Sequence, residues 1–203
     1  MFKDHPDCIQ LAEHVFVFKN YIKEEDVKTI NAIVENLVLE NNTQEAPDHP
    51  LNWYHGKTTP AIKELHPIWE HLSELLYPDH VMQPAISLQV MRPGDDMYVH
   101  ADSPGMDADE ELESEDKWSA CCSLDYALVA YFGNWEGGEI FYPAIEDSNG
   151  NKPLSYSPKA GDVVIHKTYS PYEHGVTEVK SGLRIAFSNF MMLKENNPGS
   201  FYN

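Results

Sequence analysis

Basic residues are scarce in this chain. Fourteen Lys and Arg stand against 33 Asp and Glu, a net charge of -19 over 203 residues. Such a surface repels phosphate backbones, so no intrinsic nucleic-acid partner is expected, and a cationic partner is favoured. Cysteine is nearly absent as well. Cys8, Cys121 and Cys122 give no CxxC pair, no zinc knuckle and no disulfide framework, which suits a reducing compartment. The opening MFKDHPDCIQ has no apolar core of the secretory kind, and no apolar run approaches the roughly 18–20 residues that span a bilayer. The expectation is a cytoplasmic protein with no membrane partner.

Apolar residues are not lacking. At 42% hydrophobic with 11% aromatics, the chain can bury a core and fold as a globular unit. The run His14–Phe18 is aromatic and β-branched and predicts a strand. From Lys23 to Leu39, Val27, Ile30, Ile33, Val34, Leu37 and Val38 recur at helical spacing behind an acidic first turn, which predicts an amphipathic helix. Residues 41–60 are polar and proline-rich and predict a loop around Trp53-Tyr54-His55. A second helix is expected over 60–77, interrupted at Pro67.

The texture then turns to β. Ile86, Leu88 and Val90 alternate with Ser87, Gln89 and Met91, ahead of a turn at Arg92-Pro93-Gly94. Further strands are expected at Ser119–Leu124, Leu128–Phe132, Glu139–Tyr142, Gly161–His166 and Arg184–Met192. Between the candidate site and these strands, residues 107–116 carry seven carboxylates in ten positions. That stretch reads as a solvated loop, or as an electrostatic lid for a basic substrate. Helices first and short strands afterwards predict a mainly β fold, a jelly roll with N-terminal helices packed on one sheet. No repeat or linker divides the chain. One domain is expected over 1–203, with a strand and supporting helices in 1–82 and the jelly-roll core in 83–192.

The chemistry-bearing residues start with His100 and Asp102. Two residues apart on a strand, they point the same way. With His174, seventy-two residues beyond Asp102, they supply two nitrogens and one carboxylate, the donor set of the facial triad of non-haem Fe(II) sites. His166 ends a strand shortly before His174 but is not followed by the same turn and arginine, so it stays outside the expected ligand set. Gly182 is expected to make a tight turn that brings Arg184 back beside His174 on an antiparallel neighbour. A guanidinium there would receive a carboxylate through paired hydrogen bonds.

Four segments, LQVMRPGDDMYVHADSP, ALVAYFGNWEGGEIFYP, PKAGDVVIH and HGVTEVKSGLRIAFSNF, follow one another between residues 86 and 192. In this order they resemble the Fe(II)/2-oxoglutarate-dependent dioxygenases, and most closely their prolyl 4-hydroxylase-like branch. The resemblance implies a double-stranded β-helix in which His100, Asp102 and His174 bind Fe(II). It implies that Arg184 pairs with the distal carboxylate of 2-oxoglutarate, that Tyr131 donates a hydrogen bond to the same group, and that Ser188 faces the pocket. Dioxygen would be consumed, succinate and CO2 released, and ascorbate would serve as reductant.

Two departures stand out. The family often has a tyrosine three residues before the first ligand; here that position is Met97, with Tyr98 next to it. The anchor is arginine, where collagen-type prolyl hydroxylases commonly have lysine. The substrate expected from the resemblance and the charge is a peptide or protein, possibly basic, hydroxylated at a residue such as proline. A free amino acid or small metabolite remains an alternative substrate, and a non-catalytic jelly-roll binding module an alternative of another class.

Overall fold

A computed structural model of the protein describes residues 6–40, 52–55, 67, 80–82, 87–103 and 124–193. Apart from Pro67, the helix expected over 60–77 lies outside them. So do the acidic stretch 107–116 and residues 119–123, including Cys121 and Cys122.

Strands β1 (Cys8–Ala12) and β2 (Val15–Phe18) precede helix α1 (Glu24–Glu40). The helix forms where apolar spacing and the acidic first turn of Glu24, Glu25 and Asp26 both favour it. It is followed by β3 (Asn52–His55), β4 (His80–Met82), β5 (Ser87–Met91), β6 (Met97–His100), β7 (Tyr126–Gly137), β8 (Ile140–Tyr142), β9 (Leu154–Tyr156), β10 (Val163–Lys167), β11 (His174–Val176) and β12 (Val179–Leu193).

These strands make two sheets. The larger runs β1-β2-β10-β7-β12-β5-β3, with β4 also paired to β12; the smaller runs β6-β11-β8-β9. The described pairings are antiparallel. The jelly-roll class expected from the sequence is the one observed. The aromatic run at residues 52–55 departs from expectation: it is a strand rather than loop, paired with β5. Its β-forming residues lie between polar flanks, and its partner is more than thirty positions away, beyond any local pattern.

Both faces of the larger sheet are covered at its centre, where β2, most of β10 and the middle of β7 and β12 are buried on both sides. Phe16, Phe18, Leu128, Phe132, Ile165, Ile185 and Phe187 point to one side and form a core with Ile30 and Val34 of α1. Each such side chain contributes on the order of 1.5–3 kcal/mol of burial free energy. Asn31 of α1 accepts a hydrogen bond from Gly133 N–H at 2.8 Å, fixing the helix against β7. Residues of opposite parity, among them Gln89, Val129, Tyr131, Arg184, Ala186 and Ser188, point to the other side and face the smaller sheet across a cavity. Among the described residues, no helix is long and apolar enough to cross a membrane.

Candidate metal centre

The register between β6 and β11 sets His100 directly opposite His174, with ring centroids 4.7 Å apart. The next pairing joins Val176 to Met97, so β6 uses three residues where β11 uses two. That is a β-bulge. Simple alternation would send Met97 and His100 to opposite faces, but with the bulge both line the cavity. Tyr98 is turned outward and is 78% exposed. The inward position three residues before His100 is therefore occupied by a thioether, and the neighbouring tyrosine does not enter the pocket.

Asp102 follows β6. The chain just beyond it is held by Ser103 N–H donating to the Thr168 carbonyl at 3.0 Å. One carboxylate oxygen lies 3.7 Å from His100 Nε2 and the other 3.9 Å from His174 Nε2. One candidate ligand atom from each of the three residues lies within 4.8 Å of the others. Each imidazole is oriented by the carbonyl two residues before it. His100 Nδ1 lies 3.0 Å from Tyr98 O, and His174 Nδ1 lies 3.3 Å from Tyr172 O. A carbonyl only accepts, so each Nδ1 carries the proton and each Nε2 keeps its lone pair for a metal.

The electrostatics agree with that orientation for His174. Burial, aided by neighbouring His166, pushes His174 down to about 3, so its ring is neutral. Asp102 beside it pulls His100 upward. Burial alone would raise the Asp102 carboxyl, but His100, His174 and His166 outweigh it and hold the group below the usual carboxylate range. Its Oδ2 is sealed from solvent with no hydrogen-bond partner. A buried carboxylate facing imidazole nitrogens is costly unless a cation joins them. Two nitrogens and one carboxylate gathered on one side, with a cavity on the other, suit an octahedral ion with open positions. Metal–ligand bonds of about 2.1 Å put neighbouring ligand atoms about 3 Å apart, so small side-chain rotations close the trio on an ion.

Arg184 stands across the cavity, but not as the sequence suggested. The turn after His174 falls at Thr177-Glu178, between β11 and β12. Gly182 lies inside β12 with φ of +80°, pressed so closely against the Asn134 carbonyl that no Cβ fits. At this turn the chain leaves the smaller sheet for the larger. Arg184 therefore faces His174 from the opposite sheet rather than from a paired strand.

The Arg184 guanidinium is almost wholly buried. Its Nε donates to the Gly138 carbonyl at 3.1 Å, and Nη1 lies 3.2 Å from both Gln89 Oε1 and Met91 Sδ. Gly138 is required here: a Cβ would come within 2.7 Å of Arg184 Cδ, at a φ of +62°. The Tyr131 ring lies 5.0 Å from the guanidinium carbon. Burial pushes the Tyr131 phenol up to about 12 although Arg184 beside it pulls the other way, and its hydroxyl is sealed from solvent. Among the described residues no carboxylate ion-pairs with Arg184.

The cavity between trio and guanidinium is open to solvent at its mouth. Its walls are mainly apolar, from Met97, Ile140, Val176, Ala186 and Phe190. The residues expected to share a site, His100, Asp102, His174, Arg184, Tyr131 and Ser188, all line this one space. Sequence reasoning missed Gln89, though a lone amide in a buried strand on the pocket-facing parity was a usable signal. It also left His166 aside; His166 and Tyr142 are both fully buried, with rings against His174.

No family model matches the chain, and no curated protein does. Solved structures do. The viral collagen prolyl hydroxylase of Paramecium bursaria Chlorella virus-1, in its 2OG complex, superposes with a TM-score of 0.60 at 15% identity, covering 89% of this chain and 96% of that one. A prolyl-4-hydroxylase from Pseudomonas putida gives 0.61 at 13% identity, over 89% and 93%. A prolyl hydroxylase from Trichoplax adhaerens, in complex with a hypoxia inducible factor oxygen degradation domain peptide fragment, gives 0.66 at 15% identity, over 92% and 87%. The chain has the fold of these prolyl hydroxylases, as the order of its motifs implied.

Proposed function

We propose that this protein is an Fe(II)- and 2-oxoglutarate-dependent dioxygenase that hydroxylates an unactivated C–H bond on a peptidyl residue such as proline, releasing succinate and CO2. One observation carries the reading: a buried guanidinium with no carboxylate partner among the described residues faces a His-Asp-His trio across a single cavity. A site with a metal at one end and an unpaired cation at the other is built for a dicarboxylate that chelates with one end and is neutralised at the other. His100 Nε2, His174 Nε2 and Asp102 would hold the iron. Bound there, the iron supplies dioxygen activation coupled to oxidative decarboxylation of the co-substrate.

The chain's own residues bind, orient and keep the space dry. Arg184 supplies the charge for the distal carboxylate. Tyr131, held protonated by burial, has a hydroxyl free to donate to it. Gln89 fixes the guanidinium plane through Nη1. The apolar walls exclude water around the reacting carbon. Ser188, two positions along β12 from Ala186, places a hydroxyl on the same wall.

A peptide is favoured over a small metabolite by the lip beside His100. Tyr98 and Val99 are two of the three exposed large hydrophobic residues among those described. They sit on β6, at the end of the smaller sheet's strand order. An exposed aromatic next to the metal trio offers stacking area to a chain that extends beyond the cavity. The net charge of -19 favours a basic sequence.

The test is CO2 release from labelled 2-oxoglutarate with Fe(II) and ascorbate, followed by a +16 mass shift in basic, proline-containing peptides. His174→Ala should abolish both. Tyr98→Ala should raise the peptide KM while leaving uncoupled decarboxylation intact. No CO2 release from the native protein refutes the reading. Turnover of a free amino acid without any peptide turnover replaces the substrate.

A further inference from the structure

Immediately behind the metal trio lies a second layer of buried polar groups that the activity above does not use. His166, at the end of β10, is fully buried. Its ring meets that of His174 edge-on, with centroids 4.4 Å apart. Tyr142 on β8 is also fully buried. Its ring centroid lies 5.5 Å from that of His166 and 5.8 Å from that of His174. His166 Nε2, the Tyr142 hydroxyl and Asp102 Oδ2 are each sealed from solvent, and each lacks a hydrogen-bond partner.

Unsatisfied buried polar atoms cost about 1–3 kcal/mol apiece, so three in one neighbourhood call for a shared partner. Their chemistry defines it. His166 Nδ1 faces the Lys167 carbonyl at 2.9 Å and so carries the ring proton, leaving Nε2 as an acceptor. Asp102 Oδ2 is a carboxylate oxygen and can only accept. The Tyr142 phenol carries an O–H that can donate. Two acceptors cannot satisfy one another directly. Two acceptors and one donor together are the complement of a single water, which gives two O–H bonds and accepts one.

We propose that His166, Tyr142 and Asp102 hold one ordered water behind the metal trio, and that this water sets the angle at which Asp102 meets the ion. The proposal rests on the metal reading above. His166 and Tyr142 are then positioning residues acting through Asp102. One lobe of the carboxylate is tethered from behind, and the other is presented to the metal. A partner of this kind belongs to the layer around a metal site whose removal typically weakens metal binding 10- to 100-fold.

The experiment is Co(II) titration of the metal-free protein, followed by absorption and calorimetry, so that no turnover is needed. Tyr142→Phe removes one oxygen and nothing else. His166→Phe keeps a ring of similar shape without Nε2. His166→Gln returns a side-chain amide to the position of Nε2. Co(II) affinity should fall about 10- to 100-fold in Tyr142→Phe and His166→Phe, with a changed absorption band, and His166→Gln should restore it. Thermal unfolding of each metal-free variant verifies folding, and Tyr142→Phe decides the matter if His166→Phe does not fold. Native affinity in a folded Tyr142→Phe overturns the proposal while leaving the metal reading in place. Failure of the native protein to bind Co(II) overturns the metal reading, and the proposal with it.

Discussion

Replacing Arg184 by Met separates an anchor from a structural pillar, because the two roles predict opposite results. In the ligand-free protein the substitution strands the Gly138 carbonyl and the Gln89 amide, which Arg184 now serves at 3.1 and 3.2 Å. Leaving them unmade costs about 1–3 kcal/mol each. It also removes a cation that is 1% exposed and has no carboxylate partner among the described residues. Burial already pulls that guanidinium below its ordinary range, and the effective penalty of burying an uncompensated ion is several kcal/mol. The terms offset, so the melting temperature of the ligand-free variant should hold or rise.

Co-substrate binding should collapse. Truncating one partner of a buried, hydrogen-bonded charge pair costs about 2–5 kcal/mol, which is about 30- to 5,000-fold in Kd. Thermal shift under anaerobic Fe(II) reads both effects. At 2-oxoglutarate concentrations about 100 times the native Kd, the native protein gains about 2.7 kcal/mol, or about 5–11 °C for a chain of this size. A 30-fold weaker variant gains less than about 1 kcal/mol at the same concentration. A variant that melts well below the native protein yet keeps its full 2-oxoglutarate shift would refute the anchor. Arg184 would then be a core residue whose charge is incidental.

Gly138→Ala approaches the same anchor from behind. The added methyl meets Arg184 Cδ at 2.7 Å and strains a backbone at φ +62°, so 2-oxoglutarate affinity should fall while Co(II) affinity stays native; loss of both would mean that the strand itself has moved. Acid should destabilise the metal-free protein. His174 is held down to about 3 and His166 is shifted the same way from the ordinary 6.5, so below 6.5 the unfolded chain takes up protons that the native fold refuses, and stability is lost as pH falls. Asp102, held low, adds to that loss; His100, held high, acts on the alkaline side, where its contribution fades as pH rises through its folded value. Calorimetry between about pH 7 and about pH 4.5 should show a falling melting temperature, and a flat or rising one contradicts the neutral, buried imidazoles.

Much of this site was legible before any fold. Parity along a strand is local, so Ile185 and Phe187 separate correctly from Ala186 and Ser188. The core takes the first pair and the cavity the second. Helix α1 was readable for the same reason, its spacing and acidic first turn lying within one segment. What stayed hidden depended on partners far along the chain. Residues 52–55 become a strand because β5 offers an edge. Tyr98 points outward because a bulge against β11 displaces it. Gly182 looked like a turn because glycine at positive φ serves turns and bulges alike, and only the approach of Asn134 distinguishes them.

The distance between the trio and the guanidinium is set by one corner of the fold. The chain passes from the larger sheet to the smaller at the turn Arg92–Asp95, where Gly94 takes φ of +94° behind Pro93, the arrangement of a type II turn. It passes back at Thr177-Glu178. These two crossings are bonded to each other: Gly94 N–H donates to the Val179 carbonyl and Val179 N–H to the Asp95 carbonyl, both at 2.9 Å. Gly138 N–H donates to the Glu178 carbonyl at 3.1 Å, and the Gly138 carbonyl receives Arg184 Nε. A single backbone knot thus carries β6 with His100, follows β11 with His174, and grips the residue that aims Arg184. The candidate metal ligands and Arg184 hang from the same knot, which ties their separation to the backbone rather than to the loops around the mouth. Under the proposed activity, the length of the molecule held between them would be a property of the core, while the choice of what is hydroxylated would fall to the exposed lip at Tyr98 and Val99.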